Sequence, residues 1–256
     1  MGAILAENLV ANKVTAAAQI TVLKKSNQNK VSGFNYLKNI SSLQKNYSAD
    51  LVFLCIKPQD SEKILKEFSQ AKIFHKNTIF ISILAGKKIS FFEKIFGTEV
   101  KIIRSMPNLP IVESQGIFTY LANQNISKSE LKKLEKIFQK FGAIFELEDE
   151  KLFDLVTAIF GSGPAYIFLL EEIFAEIAIG CGISADKASE LIKTLFLGSV
   201  LMSCNSDLSS SQLVESVTSK AGTTAAALKI LQEKSALKNL FKNAIDAAIE
   251  RSKHLQ

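Results

Sequence analysis

The chain has no tryptophan and only two histidines, three cysteines and four prolines among its 256 residues. Each shortage removes a class of chemistry. His75 and His254 cannot furnish a histidine-rich zinc site, and neither stands in a context that suggests a Ser/His/Asp triad, so no metal is expected. Cys55, Cys181 and Cys204 match no metal or redox spacing and read as reduced, mostly buried thiols. The apolar runs, such as Leu195–Met202, fall short of a bilayer span, and the N-terminus has no signal-peptide pattern. A cytoplasmic protein without a membrane partner is the expectation. A basic stripe interleaved with exposed aromatics is also wanting. The formal charge of +6 comes from lysines scattered over amphipathic segments, among them Lys128, Lys132, Lys133, Lys136 and Lys140 beside Glu130 and Glu135. Such faces are solvated rather than bound to nucleic acid. Difficult chemistry would therefore fall to a bound cofactor.

What is present is a globular composition, 47% hydrophobic and 22% charged, which argues against both disorder and a fibrous repeat. From Ile4 to about Leu147 helical segments alternate with β-rich runs at Ile20–Leu23, Leu51–Ile56, Thr78–Ile83, Val100–Arg104 and Ala143–Leu147. These read as strands of a parallel sheet. Ser127 and Glu130 form a capping box for a helix over Ser127–Phe141 that Gly142 ends, and a second helix covers Asp60–Ser69. The pattern predicts a doubly wound α/β domain over 1–148, with ligands at the carboxyl ends of its strands. After Glu148-Asp149-Glu150 the strands stop. Helical periods near Lys151–Ile159, Ala165–Ile179, Ala185–Met202, Ser210–Ser216, Thr224–Glu233 and Leu237–Lys253 predict an all-α domain over 149–256. Its helices carry too little charge for one small domain to cover, which predicts oligomerisation through this half.

Six clusters mark where chemistry would sit. Ser219-Lys220-Ala221-Gly222-Thr223-Thr224 runs into the strong helix formers Ala225–Leu231. A helix start offers unpaired N–H groups and the positive end of the helix dipole, so it holds a carboxylate or phosphate without a charged side chain. Its plainer reading is an ordinary helix start. Lys57-Pro58-Gln59 follows the strand Leu51–Ile56, and Ala85-Gly86 ends the next one. Both lie where a nucleotide would, and both are equally read as a strand stop or a turn. Arg104-Ser105-Met106-Pro107-Asn108-Leu109-Pro110 comes at the end of a third strand, its two prolines stiffening a loop that places Asn108 either at a ligand or in an Asx-turn. Gly161-Ser162-Gly163-Pro164-Ala165-Tyr166 opens a helix, with glycines that allow close approach of a ligand or of another backbone. Finally, Ile20–Leu23 leads into Lys24, Lys25, Ser26 and Asn27, where an NAD site would carry Asp or Glu. Donors and positive charge there favour the 2′-phosphate of NADPH, with NADH the alternative and solvent-exposed lysines the plainer reading.

Taken in order, these clusters resemble the pyrroline-5-carboxylate reductase family over nearly the whole chain. Gly161–Tyr166 and Ser219–Thr224 are the specific elements. The Lys-Pro-Gln and Met-Pro-Asn loops are shared with other nicotinamide enzymes. The resemblance implies a Rossmann domain followed by a helical domain that dimerises by interlocking, often with further assembly of the dimers. It implies NADPH-dependent reduction of 1-pyrroline-5-carboxylate to L-proline. The substrate carboxylate would rest on the N–H groups of Gly222, Thr223 and Thr224 with Ser219 assisting, and Thr224 would serve the ring nitrogen. Gly2, Lys24, Lys25, Ser26, Lys57, Pro58, Ala85, Gly86 and Asn108 would line the cofactor.

Two departures stand out. Where the family has Pro-Gly-Gly, this chain has Lys220-Ala221-Gly222, and Ala221 would be strained in a left-handed conformation. Family members also begin with a strand and a Gly-x-Gly-Asn-Met-Gly turn, whereas this chain opens at Met1-Gly2-Ala3, which matches only the end of that turn. A start codon placed too late is the preferred explanation, before a shortened chain or a decayed gene. The competing readings are a catalytically impaired oligomerising homologue and another reductase with the same two-part plan.

Overall fold

The computed structural model describes residues 1–24, 30–43, 47–71 and 74–255. They form two compact units, Met1–Ser162 with Ala248–Gln256, and Gly163–Ala247. The first unit contains strands β1 (Thr21–Leu23), β2 (Asn35–Leu37), β3 (Leu51–Leu54), β4 (Ile79–Ser82), β5 (Lys101–Pro107), β6 (Gly116–Ala122) and β7 (Gly142–Glu146). Its helices are α1 (Gly2–Ala11), α2 (Ser61–Ala71), α3 (Ile89–Phe96), α4 (Lys128–Phe138) and the short α5 (Phe153–Val156), which continues into a π turn at Thr157–Gly161. The second unit is helical: α6 (Gly163–Gly180), α7 (Ala185–Cys204), α8 (Ser210–Ser216), α9 (Thr223–Gln232) and α10 (Ala236–Lys253), the end of which belongs to the first unit.

The α/β unit is built as alternation predicts. Ile79 and Ile81 of β4, Ile103 of β5 and Phe118 and Tyr120 of β6 share one face with Leu5 and Leu9 of α1 and Leu134 and Phe138 of α4. Leu54, Phe80 and Ile102 share the other with Leu65 of α2 and Phe92 of α3. Because side chains alternate across a strand, each strand feeds both layers, so the sheet is wrapped by helices on both sides.

Two features depart from the sequence reading. First, the sheet is mixed. Strand β6, which the reading omits, runs antiparallel to β5, and β7 is parallel to β6. The Asn108–Gln115 connection holds only a 3-10 turn at Leu109–Glu113, and so short a link cannot make the crossover a parallel pair needs. Second, β1 and β2 form their own parallel pair, and among the described residues no strand joins them to the five-stranded sheet β3-β4-β5-β6-β7. The two compact units part between Ser162 and Gly163. Phe153 and Val156 explain this, since both are buried against Met106 of β5 and hold the 150–162 segment to the first unit.

Helix α4 begins at the predicted capping box. The Glu130 N–H donates to Ser127 Oγ at 3.3 Å, and the Ser127 N–H donates to Glu130 Oε2 at 2.9 Å. Glu130 Oε1 also pairs with Lys101 of β5, and these contacts hold its carboxyl down at about 2. A depressed carboxyl stabilises the fold above its unfolded value of about 4.3, and that contribution is lost as pH falls through the folded value. Urea denaturation should therefore find Glu130→Gln less stable than the parent at pH 6, with the gap closing as pH falls from about 4.3 toward about 2.

The second unit has almost no core of its own. Among the described residues Ala188 is its only buried hydrophobic side chain, while Ile177, Leu197, Val200, Ile230 and Leu240 are each more than half exposed. The helical run Glu150–Gly180 is by length and composition apolar enough to cross a membrane. The reading of short apolar runs misses this because Gly161-Ser162-Gly163-Pro164 divides it into two shorter apolar runs. All three cysteines are free and exposed, correcting their expected burial; Cys181 and Cys204 belong to this uncovered unit.

Candidate active site

In the first unit, helix α1 starts at Gly2 with no side-chain cap from Met1 and no acidic residue in its first turn. Its leading N–H groups remain available to an anion. Gly2 packs against the carboxyl end of β3 so closely that a β-carbon there would lie 2.9 Å from Cys55 Cβ. Just beyond, Lys57 is exposed and precedes the 3-10 turn Pro58–Asp60, whose Pro58 carbonyl accepts from Ser61 Oγ at 2.6 Å. An uncapped helix start beside a strand end with a lysine fits the pyrophosphate of a dinucleotide. The half-buried Lys24 follows β1, its N–H donating to the Leu37 carbonyl at 2.9 Å. Lys25, Ser26 and Asn27 lie outside the described residues. Ala85 is half-buried after β4.

Two residues expected at the cofactor make contacts within the chain. Asn108 is 7% exposed and internally engaged: its Nδ2 donates to the Phe160 carbonyl at 3.1 Å, and its Oδ1 accepts from the Ile117 N–H at 2.8 Å. It ties the end of β5 to β6 and to the π turn. Gly86 is buried with φ +76°, and a β-carbon on it would meet the Leu255 carbonyl carbon at 2.6 Å. The space left by its missing side chain is filled by the chain's own C-terminal segment.

The sequence reading assigned no role to Arg104, the largest fully buried side chain. Its Nη1 donates to Glu150 Oε1 at 2.9 Å, and its guanidinium lies 4.1 Å from the centre of the Phe153 ring. The same Glu150 oxygen accepts from the Ile89 N–H at 2.7 Å, where α3 begins. One carboxylate thus ties β5, the start of α3 and the segment before α5. An arginine in the apolar strand Ile102-Ile103-Arg104 is itself a signal, because a charge there requires a buried partner.

In the second unit, Gly222 is the N-cap of α9, no side chain caps that helix, and its first turn holds no acidic residue. The first intrahelical bond runs from the Ala226 N–H to the Gly222 carbonyl. The Thr223, Thr224 and Ala225 N–H groups precede that bond and face outward from the helix start. Ser219 folds back over this point: its carbonyl accepts from the Gly222 N–H at 3.1 Å, and a β-carbon at Gly222 would overlap its hydroxyl. Thr224 is half-buried, while Ser219 and Thr223 are exposed. Ala221 has φ +60°, the left-handed conformation foreseen as awkward. At Gly161–Tyr166, Pro164 sits in the first turn of α6 as expected, and nothing lies within 4 Å of where a Gly163 β-carbon would be.

Comparison with known proteins places this geometry. Residues 150–255 match the family described as pyrroline-5-carboxylate reductase dimerisation, and residues 1–86 match that described as NADP oxidoreductase, coenzyme F420-dependent. The chain is 31% identical to the pyrroline-5-carboxylate reductase of Aquifex aeolicus, over 90% of this chain and 82% of that one. It is 32% identical to the enzyme of the same name from Staphylococcus epidermidis, over 99% and 92%. Among solved structures, the pyrroline carboxylate reductase of Plasmodium falciparum with NADP bound superposes with a TM-score of 0.89 at 30% identity, covering 100% of this chain and 94% of that one. Prephenate dehydrogenase from Aquifex aeolicus, at 15% identity and a TM-score of 0.52, shares the fold alone.

Proposed function

The chain belongs to the pyrroline-5-carboxylate reductase family, and from that premise we infer that it reduces 1-pyrroline-5-carboxylate to L-proline with NADPH. The observation that carries this reading is the uncapped start of α9, with Ser219 folded over Gly222 and no acidic residue in the first turn. Such a site suits the substrate carboxylate, which would accept from the N–H groups at Thr223 and Thr224 and from the Ser219 hydroxyl, while the Gly222 N–H expected to join them is taken up by the Ser219 carbonyl. Thr224, the half-buried member, would hydrogen-bond the ring nitrogen. A neutral hydroxyl is a weak acid, so its contribution is to orient the imine and relay a proton from water. When bound, the nicotinamide supplies the hydride. The α1 start and Lys57 would hold the pyrophosphate, Lys24, Lys25 and Ser26 the 2′-phosphate, and Pro58 and Ala85 would lie along the cofactor.

The uncovered helices of the second unit, within the matched dimerisation region, support a homodimer through α6, α7 and their neighbours and leave surface for dimers to assemble further. Three free cysteines suit a reducing compartment such as the cytoplasm. Titration with NADPH, followed by its fluorescence, tests the cofactor half of the reading. Saturable binding, tighter than for NADH, is expected. A dimer that takes up neither nucleotide would favour the second reading, an impaired homologue, to which Ala221 and the divided sheet lend support.

Ala221 gives a separate test. A left-handed alanine costs roughly 1–2 kcal/mol, of which glycine recovers all but its own entropy cost of about 0.5–1 kcal/mol. Ala221→Gly is therefore expected to stabilise the protein by up to about 1 kcal/mol in urea denaturation, without loss of imine affinity.

A further inference from the structure

The C-terminal segment has no place in the chemistry described above, yet it is pinned. Ser252, near the end of α10, is 3% exposed, and its Oγ donates to Asp154 Oδ1 at 2.7 Å. The chain then turns, the Leu255 N–H donating to the Ser252 carbonyl at 3.1 Å. This brings the Leu255 backbone onto Gly86, where a β-carbon would stand 2.6 Å from its carbonyl carbon and 2.7 Å from its carbonyl oxygen. Gly86 belongs to the turn at the carboxyl end of β4, next to Ala85. That turn is fixed on its far side by the Ile89 N–H bond to Glu150. Between β4 and Ile89 the Ile83 N–H bonds the Leu54 carbonyl at 3.2 Å, the Leu84 N–H bonds Ser82 Oγ at 3.2 Å and the Lys87 N–H reaches the Leu84 carbonyl at 3.5 Å, bonds that flank Ala85 and Gly86 without holding them. A left-handed glycine in so loosely bonded a turn samples many conformations unless something packs on it.

We propose that Ser252 and Asp154 are positioning residues for the cofactor: their hydrogen bond seats Leu255 on Gly86, and this contact fixes the turn that presents Ala85 to NADPH. The inference rests on the reading that the cofactor lies at the strand ends. It assigns the glycine to a close approach by the chain's own backbone, and it makes the last turn of α10 part of the cofactor site's support.

The test uses the full-length protein with Ser252→Ala and Asp154→Ala. Loss of a hydrogen bond to a carboxylate should raise the KM for NADPH by about tenfold. The KM for the imine and kcat at saturating NADPH should stay at parental values, and Ser252→Thr should restore the parental KM. Hydrogen exchange in the nucleotide-free protein provides a readout independent of turnover, and the amides of Gly86 and Lys87 should exchange faster in Ser252→Ala. Parental exchange at these amides would overturn the proposal even if a variant folds poorly elsewhere. An unchanged or lowered KM for NADPH would overturn it as well. If the parent itself fails to bind NADPH while the variant's turn still exchanges faster, it is the cofactor reading that fails and not the contact.

Discussion

Thr224→Ala is expected to lower kcat for 1-pyrroline-5-carboxylate by about 10²-fold while leaving the KM for NADPH unchanged. The argument begins with the position of the residue. Thr224 is in the first turn of α9, half-buried, whereas Thr223 beside it is exposed. Alanine keeps the backbone N–H that serves the carboxylate and removes only the hydroxyl that would meet the ring nitrogen. Binding should survive while alignment of the imine is lost, and misplacement of a reacting centre by about 1 Å can cost on the order of 10² in rate. Thr224→Ser keeps the hydroxyl and should retain most of the activity. Steady-state kinetics with both substrates varied checks this, and equal loss in the Ser and Ala variants would remove the hydroxyl from the account.

The second large effect concerns stability. Glu150→Ala should destabilise the first unit by about 3 kcal/mol, because it strands the Arg104 guanidinium in the interior. The Arg104 side chain is 2% exposed, and its Nε already has no hydrogen-bond partner among the described residues, so Nη1 to Glu150 is the bond it depends on. Alanine also frees the Ile89 N–H at the start of α3. The decisive comparison is with Arg104→Met/Glu150→Ala. Replacing the stranded charge with an apolar side chain against Phe153 should recover a substantial part of the loss, since removing both partners of a buried pair costs less than removing one. Urea denaturation of the parent and the two variants measures this. A double variant no more stable than Glu150→Ala would show that the charge is not the source of the penalty.

Much of this molecule was legible before its structure, and the reasons are local. The helix starts at Ser127, Ser210 and Thr223 follow from capping residues and from runs of helix formers, information contained within four or five residues of chain. The strands β3, β4 and β5 are apolar runs ended by turn residues. Strand β6 was missed although Phe118, Thr119 and Tyr120 are good strand formers, because the reading sought strands separated by helices and this one follows β5 without a crossover. Local sequence is silent where a residue's contacts depend on a distant partner. Asn108 looked like a ligand contact because nothing nearby announces Phe160, and Gly86 looked like space for a cofactor because nothing nearby announces Leu255. Ala221 was read correctly in advance because its difficulty is intrinsic: an alanine at a position that wants glycine is awkward whatever surrounds it.

The central claim is that this chain delivers a hydride from NADPH to the C=N carbon of 1-pyrroline-5-carboxylate. Incubation with that imine and NADPH deuterated at C4 of the nicotinamide, followed by mass spectrometry and NMR of the product, tests it most directly. The account predicts L-proline carrying deuterium at the former C=N carbon when the transferring face of the ring is labelled, with one proline formed for each NADPH consumed. NADPH left unconsumed by the imine, or deuterium appearing at any other carbon, would contradict it.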